Sequence, residues 1–385
     1  MRFFVLNYWH DRRYRKRVGG PIKVIELAEN LRAMGHEAIL FVPRLGYPEK
    51  QTDTPLEQIP VIDIPIIRPL LYSFLTIVRL TRCTLRGRPD VIYIRYMFDF
   101  FPSLFARFSR IPCIVEVNDE IPSSYSARDR FLSLLNRINF GCADKIIVLT
   151  AGLKNRLVER LGIKAEKISV STSGTNTEIF YPRDMETCRR ETGIDQAAKV
   201  IGFAGSFVWN YGVDVLIEAS PTIIERFPES KFLIVGDGES KDAWRERVEQ
   251  LGLEQRYLFP GHVTREMAAI FIGAMDVCVA PYHSSRGETS PVKLYDYLAC
   301  ARPVVSTAID ALLSVQDELP GLILVEPDNP DAIAAGLIGV LENQSVYEAE
   351  AMRAKEIIFE NYSWHRVASD VQKVSQYILK RVTGT

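Results

Sequence analysis

Short apolar runs alternate with longer amphipathic stretches along the chain. Near its start, FFVLN and EAILFVP flank the helix-like KVIELAENLRAMGH, and DVIYIR, CIVEVN and KIIVLT follow, each with a helix-like segment after it. Runs that are apolar throughout, rather than at alternate positions, are typical of strands buried on both faces of a parallel sheet. The pattern therefore predicts an α/β fold built from βαβ units.

The same pattern begins again after Tyr181-Pro182. The predicted strands of this second part are KVIGFAG, KFLIVGDG, YLFPG, DVCVAPY, RPVVST and LILVEP. We therefore predict two doubly wound domains, residues 1–180 and 181–360, with a last helix in 361–385 that packs back on the first domain. Because ligands bind at the carboxyl ends of strands in such sheets, two facing sheets would form one interdomain cleft.

Composition narrows the class of protein. The 385 residues are 47% hydrophobic and 25% charged, which excludes extended disorder and a disulfide-rich miniprotein. The six cysteines include no CxxC pair, so we interpret them as reduced and structural. No secretory signal follows Met1-Arg2, and together these features predict a cytoplasmic protein.

The near-neutral net charge conceals an asymmetry between the two halves. Residues 1–185 contain 28 Lys and Arg against 19 Asp and Glu, whereas the remainder contains 19 against 29. A basic first half indicates an anionic partner. Nucleic acid is disfavoured because no zinc finger, RNA-binding aromatic motif or basic helix is present, so a membrane surface or an anionic substrate is the expected partner.

One apolar stretch, Pro69 to Val78, is too short to span a bilayer. Two interpretations stay open for it. It could be a helix in the headgroup layer on the inner face of a membrane, with basic flanks on anionic lipid. It could equally be a core helix with a solvated basic side. The basic flanks are Arg68, Arg79, Arg82, Arg86 and Arg88.

Glycines follow or precede several predicted elements. Gly19 and Gly20 stand before a helix, while Gly205 and Gly236 end predicted strands, so each could bring backbone close to a phosphate or a sugar. Tight turns are the alternative. A dinucleotide fingerprint is excluded because Lys241 stands where its third glycine would be, and P-loop and GxSxG motifs are absent from the sequence.

The segment RGETSPVKLYDYLACARPVV contains the most informative group of candidate ligand-binding residues. Ser290 as N-cap and Pro291 as first helical residue predict a helix start at which Thr289 and Ser290 present N–H and hydroxyl groups. Lys293 in the first turn opposes the helix dipole unless an anion such as a diphosphate binds there. Asp296, three residues on, could accept ribose hydroxyls. A plain surface helix is the alternative.

The chain resembles family 4 of the retaining glycosyltransferases, which have the GT-B fold. Glu288 and Asp296 are similar to the family pattern E-x7-E, with Asp replacing the second Glu, and LACARPVV follows as in the family. Further matching stretches are GGPIKVIELAENLRAMGHEA, ADKIIVLTAGLKNRL, KISVSTSGTNTEIFYP and LIVGDGESKDAWRERVEQLGLEQRYLFPGHV. These stretches match the family in order and spacing, and together they extend over nearly the whole chain.

The resemblance implies a nucleotide diphosphate sugar as donor and a hydroxyl acceptor, with no metal and no bound cofactor. By this resemblance the donor-binding residues would be Gly19, Gly20, Gly205, Ser206, Gly236, Thr289, Ser290, Lys293 and Asp296. The catalytic residues would be Glu288, Lys293 and Asn118, and the acceptor-side residues His10, Arg12, Arg13 and Asp119. The charge of the first domain fits an anionic or lipid-linked glycan acceptor.

Three departures from the family pattern leave alternatives open. Ser206 and Tyr211 stand where the family has an Arg and a Lys on the diphosphate, and Asn118 replaces the family histidine. Either Lys293 and Arg286 compensate, or catalysis is weak. A non-catalytic GT-B protein that binds a nucleotide or glycan, or that supports a partner transferase, is a second hypothesis, and an isomerase or phosphorylase is a third.

Overall fold

A computed structural model describes residues 1–8, 19–44, 52–61, 64, 67–96, 99–118, 127–286 and 291–383. The chain divides into two compact units, Met1–Ser173 with Trp364–Thr385, and Gly174–Ser363. The chain thus passes between units at residues 173/174 and 363/364, rather than at 180/181 and 360/361. Each unit contains one parallel sheet with helices on its faces.

The first unit has a seven-stranded sheet in the order β3-β2-β1-β4-β5-β6-β7, and every neighbouring pair is parallel. Its strands are β1 (Arg2–Leu6), β2 (Glu37–Pro43), β3 (Leu56–Ile59), β4 (Val91–Arg95), β5 (Cys113–Val117), β6 (Lys145–Val148) and β7 (Ile168–Val170). Its first helices are α1 (Gly19–Ala33), α2 (Ile67–Arg86), α3 (Phe101–Phe108), α4 (Ala127–Cys142) and α5 (Ala151–Leu161).

The second unit has a six-stranded parallel sheet in the order β10-β9-β8-β11-β12-β13. Its strands are β8 (Lys199–Ala204), β9 (Ser230–Val235), β10 (Tyr257–Gly261), β11 (Val277–Ala280), β12 (Val304–Thr307) and β13 (Leu322–Val325). Its helices are α6 (Met185–Thr192), α7 (Val213–Arg226), α8 (Lys241–Gln250), α9 (Arg265–Gly273), α10 (Val292–Ala299), α11 (Asp310–Leu313), α12 (Pro330–Glu342) and α13 (Gln344–Asn361).

The last helix, α14 (Trp364–Thr383), belongs to the first unit although it follows the second in sequence. It packs on α1, and both helices contribute to one buried apolar cluster on a face of the first sheet. Trp364 and Val371 are 3% and 0% exposed in this cluster. Burial of an apolar stripe against a neighbouring helix is what stabilises α14 in this position.

The central strands are buried along nearly all of their lengths, as the continuous apolar runs predict. All five residues of β5 and all four of β11 are buried. Large apolar clusters cover both faces of each sheet. The fold prediction of two doubly wound α/β domains is therefore confirmed, and each sheet reverses the direction of its connections at its centre, at β1/β4 and at β8/β11.

Helix α2 has both buried and exposed apolar side chains, and the choice between the two interpretations that the sequence left open stays a prediction. Tyr72 and Leu80 are buried in the core of the first unit. Phe74 and Leu85, in contrast, are 67% and 83% exposed. Within the part of the chain that the structure describes, no helix combines the length and apolar character needed to cross a membrane.

Candidate functional site

The two central strands of the second sheet, β8 and β11, mark the point at which its connections reverse direction. Ligands of doubly wound sheets bind outside the carboxyl ends of strands at such a point. The backbone after β8 meets the backbone after β11 there, since an added Cβ at Gly212 would lie 1.7 Å from the Pro281 carbonyl oxygen. Helix α10 approaches the same edge, which makes this the candidate site.

A glycine directly follows each of two strands at this edge, Gly205 after β8 and Gly236 after β9. An added Cβ at Gly205 would lie 1.9 Å from Cε of Lys293. An added Cβ at Gly236 would lie 1.9 Å from the Gly205 carbonyl oxygen, and the φ of Gly236 is +137°. Close packing against backbone therefore requires glycine at Gly236, whereas a side chain at Gly205 would displace the end of the Lys293 side chain. That the same residues bring backbone close to a ligand stays a prediction.

Lys293 extends from the first turn of α10 across Gly205. Its ammonium nitrogen lies 3.4 Å from the ring centre of Tyr211 and 5.5 Å from that of Phe203. Burial among these rings lowers the pKa of Lys293, and the Arg286 guanidinium lowers it further, while Tyr211 acts in the opposite direction. The site thus contains a half-buried cation at the end of β8.

Arg286 brings a second cation to the same tyrosine. Its guanidinium carbon lies 4.1 Å from the ring centre of Tyr211 and 4.4 Å from that of Tyr282. Burial alone would raise the pKa of the Tyr211 hydroxyl, but Lys293 and Arg286 together lower it to about 7. Tyr211, which by the resemblance stands at the position of a family cation, therefore lies in contact with two cations from elsewhere in the unit.

Helix α10 begins one residue later than the sequence predicts. Pro291 is the N-cap residue with φ −83° and ψ 52°, and Val292 is the first helical residue. Pro291 has no N–H to contribute to the helix, and here it stands just outside the first turn rather than within it. The predicted site residues Glu288, Thr289 and Ser290 lie outside the described residues.

Tyr297 on α10 is hydrogen-bonded to the last residue of β8. Its hydroxyl donates to the Ala204 carbonyl at 2.9 Å and accepts from the Ala204 N–H at 2.8 Å. The side chain is 1% exposed. These bonds fix the register of α10 against the strand, and thereby the place of Lys293 and Asp296. The sequence analysis did not identify Tyr297, because an apolar helix face alone does not show where a buried hydroxyl donates.

Asp296 lies one turn after Lys293 on α10 and is half-buried. The hydroxyl of Thr175 donates to its Oδ1 at 2.5 Å. Thr175 is 121 residues away in sequence and 1% exposed. It lies within a stretch that matches the family, yet nothing in that match identifies its contact with Asp296.

A stacked pair of aromatic rings lies in the same two segments that carry Tyr211 and Arg286. The Trp209 indole stacks on the His283 ring with centroids 4.3 Å apart and planes 16° apart. One ring nitrogen of His283 lies 3.1 Å from both carboxylate oxygens of Asp214, and the other contacts Asp328. Trp209 itself is 56% exposed. The sequence analysis did not predict this pair, since the two rings and the two aspartates come from three separate segments of the chain, which follow β8, β11 and β13.

Ser206 follows Gly205 and is half-buried. Its carbonyl oxygen accepts from the Val208 N–H at 3.1 Å. By the resemblance, Ser206 stands where the family has an arginine, and a serine brings no cation to this position. Cationic groups reach the end of β8 from α10 and from the segment after β11 instead, as Lys293 and Arg286.

In the first unit, Gly19 and Gly20 form the first turn of α1 rather than a loop before it. Farther along α1, Lys23 donates to Asn118 at 2.9 Å and pairs with Glu116 at 2.6 Å. Asn118 in turn donates to Glu116 at 3.4 Å.

All three side chains of this cluster are buried. Burial alone would raise the pKa of Glu116, but Lys23 and Arg95 hold it below its usual range. Both polar groups of Asn118 therefore contribute to one buried ionic cluster. The predicted acceptor-side residues His10, Arg12, Arg13 and Asp119 lie outside the described residues.

Comparison with protein families assigns both units. The family model described as Glycosyltransferase Family 4 matches residues 19–179, and the model described as Glycosyl transferases group 1 matches residues 198–343. An uncharacterized glycosyltransferase of Methanocaldococcus jannaschii is 25% identical over 376 residues, which are 93% of this chain and 94% of that protein. The phosphatidyl-myo-inositol mannosyltransferase of Mycolicibacterium smegmatis is 26% identical over 92% of this chain and 89% of its own length.

Solved structures show the same fold at low identity. The sucrose-phosphate synthase of Thermosynechococcus elongatus superposes with a TM-score of 0.78 at 17% identity, over 99% of this chain and 100% of that chain. Anabaena HepE, solved in complex with UDP, superposes with a TM-score of 0.74 at 17% identity, over 98% of this chain and 100% of its own. With its two parallel-sheet units and its match to both family models, the chain belongs to glycosyltransferase family 4 and has the GT-B fold.

Proposed function

We propose that the second unit binds a nucleotide diphosphate sugar and that the protein transfers the sugar to a hydroxyl acceptor with retention of configuration. The observation that carries this proposal is the pair of cations, Lys293 and Arg286, held on Tyr211 at the glycine end of β8. Two cations at the switch point of a doubly wound sheet match the charge of a pyrophosphate. Anabaena HepE, which shares the fold, was solved with UDP.

The proposed chemistry depends on charge stabilisation by residues already in place. The departing nucleoside diphosphate gains negative charge as the glycosidic bond breaks, and Lys293, Arg286 and the N-terminus of α10 would stabilise that charge without a metal. Asp296 would accept hydrogen bonds from the ribose, and Glu288 would orient the sugar. The acceptor would attack on the face that the phosphate leaves, with the phosphate accepting its proton.

The acceptor side is proposed from the first unit. An excess of basic residues in residues 1–185 and the exposed Phe74 and Leu85 on α2 suit a lipid-linked, anionic glycan acceptor at a membrane surface. The M. smegmatis relative is named for a phosphatidyl-myo-inositol substrate. We propose a role in cell-surface polysaccharide or glycolipid synthesis at the cytoplasmic face of the membrane.

A non-catalytic, nucleotide- or glycan-binding role is the second candidate. It is favoured by Asn118, at the position of the family histidine, because its amide is hydrogen-bonded to Lys23 and Glu116 within the buried cluster. An amide engaged on both sides contributes less to a substrate than an exposed one.

Calorimetry with UDP-glucose, GDP-mannose and the parent diphosphates tests the binding proposal. We expect one donor to bind, and Lys293→Gln to weaken that donor about 10- to 100-fold, since a hydrogen bond to a charged group is lost. Arg226→Gln is the matched control, because the Arg226 side chain is 61% exposed and forms an ion pair with the partly exposed Glu342, away from Lys293 in sequence. Equal donor affinity in all three proteins would contradict the proposed site.

A turnover assay distinguishes the proposed transferase from a non-catalytic binding protein. With the donor identified, donor hydrolysis or sugar transfer is measured for the wild type and for Glu288→Ala. Turnover that is lost in the variant while donor affinity persists supports catalysis. Donor binding without turnover by the wild type, with membrane extract supplied as acceptor source, supports the binding role.

A further inference from the structure

Thr175 forms a direct hydrogen bond with the carboxylate that is assigned to the ribose. Its Oγ1 donates to Oδ1 of Asp296 at 2.5 Å, and the threonine is 1% exposed. The bond joins the first residues of the second unit to α10, across 121 positions of sequence. A hydroxyl has one proton to donate, so this bond commits the Thr175 proton to Asp296.

The backbone of Thr175 is fixed independently of that hydroxyl. Its N–H donates to the Tyr362 carbonyl at 2.8 Å, and Thr175 forms an isolated parallel bridge with Ser363. The Tyr362 ring packs on Tyr295, the residue before Asp296, with ring centroids 4.7 Å apart. The hydroxyl is therefore delivered by a backbone segment that is itself packed against α10.

The length of the side chain on α10 gives a reason for such a contact. By the resemblance, the family pattern has a glutamate at the position of Asp296, and aspartate is one methylene shorter. A shorter carboxylate reaches less far and must be directed by its surroundings to meet a pair of ribose hydroxyls. Each carboxylate oxygen accepts more than one hydrogen bond, so an Oδ1 bonded to Thr175 can still take part in ligand binding.

We propose that Thr175 is a positioning residue for ribose recognition, which it achieves by orienting the carboxylate of Asp296. The inference rests on the proposed function, because it requires a nucleotide at this site. It assigns to Thr175 a role in the discrimination between ribonucleotides and deoxyribonucleotides, rather than in the affinity for pyrophosphate. Positioning of a group that binds through a second residue is sensitive to small displacements.

Calorimetry with UDP, 2′-deoxy-UDP and 3′-deoxy-UDP, and with the corresponding guanine nucleotides, tests this role on the full chain. The wild type should prefer the ribonucleotide by about tenfold or more over at least one deoxy form. Thr175→Val keeps the shape but removes the donor, and should reduce that preference to less than about threefold. Thr175→Ser retains the hydroxyl and should preserve it.

Asp296→Ala is the benchmark, because it removes the carboxylate and should abolish the same preference. If Thr175→Val fails to fold, Thr175→Ala removes the hydroxyl without placing a second methyl group beside the carboxylate. A wild-type preference that survives in the valine or alanine variant would overturn the inference, as would a wild type that binds UDP and both deoxy forms equally. A wild type that binds none of the nucleotides would instead overturn the proposed function.

Discussion

Tyr211 contributes an ionisable phenol to a site otherwise dominated by cations. Lys293 and Arg286 lower its pKa to about 7, against the effect of burial. Below this pH the neutral phenol leaves both cations available to an anionic ligand. Above it the phenolate pairs with them and repels a pyrophosphate.

Donor affinity should therefore fall as the pH rises. For UDP-glucose, whose pyrophosphate does not titrate near neutrality, we expect about tenfold weaker binding by the wild type at pH 8.5 than at pH 6.5. Tyr211→Phe should bind with nearly constant affinity over the same range. Calorimetry at both pH values measures the difference, and an equal fall in the two proteins would assign the effect to Lys293, whose pKa is also lowered.

The sequence could predict Lys293 and Asp296 because both belong to one local pattern, a helix start with a cation in its first turn. It could not predict how Thr175 or Arg286 meets them. Those contacts depend on how loops after different strands converge at one sheet edge. The sequence could thus predict residues whose role depends on the start of their own helix, but not residues whose role depends on tertiary contacts.

Strand prediction succeeded where burial is two-sided and failed at the edges of the first sheet. The sequence analysis did not predict β3 (Leu56–Ile59) or β7 (Ile168–Val170) as strands. Each lies at an end of the sheet and contains polar or exposed positions. An edge strand of three or four residues has no continuous apolar run, so hydrophobic patterning gives little signal for it.

The exposed apolar side chains of α2 allow the proposed membrane contact to be tested. Phe74→Ser and Leu85→Ser each remove an exposed apolar side chain, and either should weaken sedimentation with vesicles of phosphatidylglycerol and phosphatidylcholine by about tenfold. Binding by the wild type should also decrease with salt, since the nearby arginines act on anionic lipid.

Val346→Ser is the control for these two variants. Val346 is an apolar residue, 56% exposed, on α13 of the second unit. Its loss should leave vesicle binding unchanged. Vesicle binding that is equal in all four proteins would contradict the proposed role of α2, whatever the affinity for nucleotides.

In the whole chain, each unit buries a tryptophan whose substitution tests the stability of that unit. Trp364 is 3% exposed in the α1–α14 cluster, and Trp244 is 2% exposed against Phe203 and Phe207. Substitution of either by alanine should lower the free energy of unfolding of its own unit by about 3–5 kcal/mol. The matched pair thus removes the same side chain from two independent cores.

Differential scanning calorimetry with and without the identified donor measures these effects. We expect Trp364→Ala to lower a transition that the donor does not shift, and Trp244→Ala to lower the transition that the donor raises. If the donor raises the transition that Trp364→Ala lowers, donor binding stabilises the first unit, which would contradict a donor site in the second unit. The repeated βαβ pattern predicts the two units, but not the positions 173/174 and 363/364 at which the chain passes between them, because those positions depend on the unit in which the flanking residues pack.

The interrupted first unit has a consequence for biosynthesis. Residues 1–173 leave the ribosome without α14, and all of Gly174–Ser363 must be translated before that helix emerges. At translation rates of about 5–20 residues per second, the delay is roughly 10–40 s. During that interval the apolar side of α1 has no covering helix, so the nascent first unit offers a binding surface to chaperones, while the uninterrupted second unit can already complete its fold.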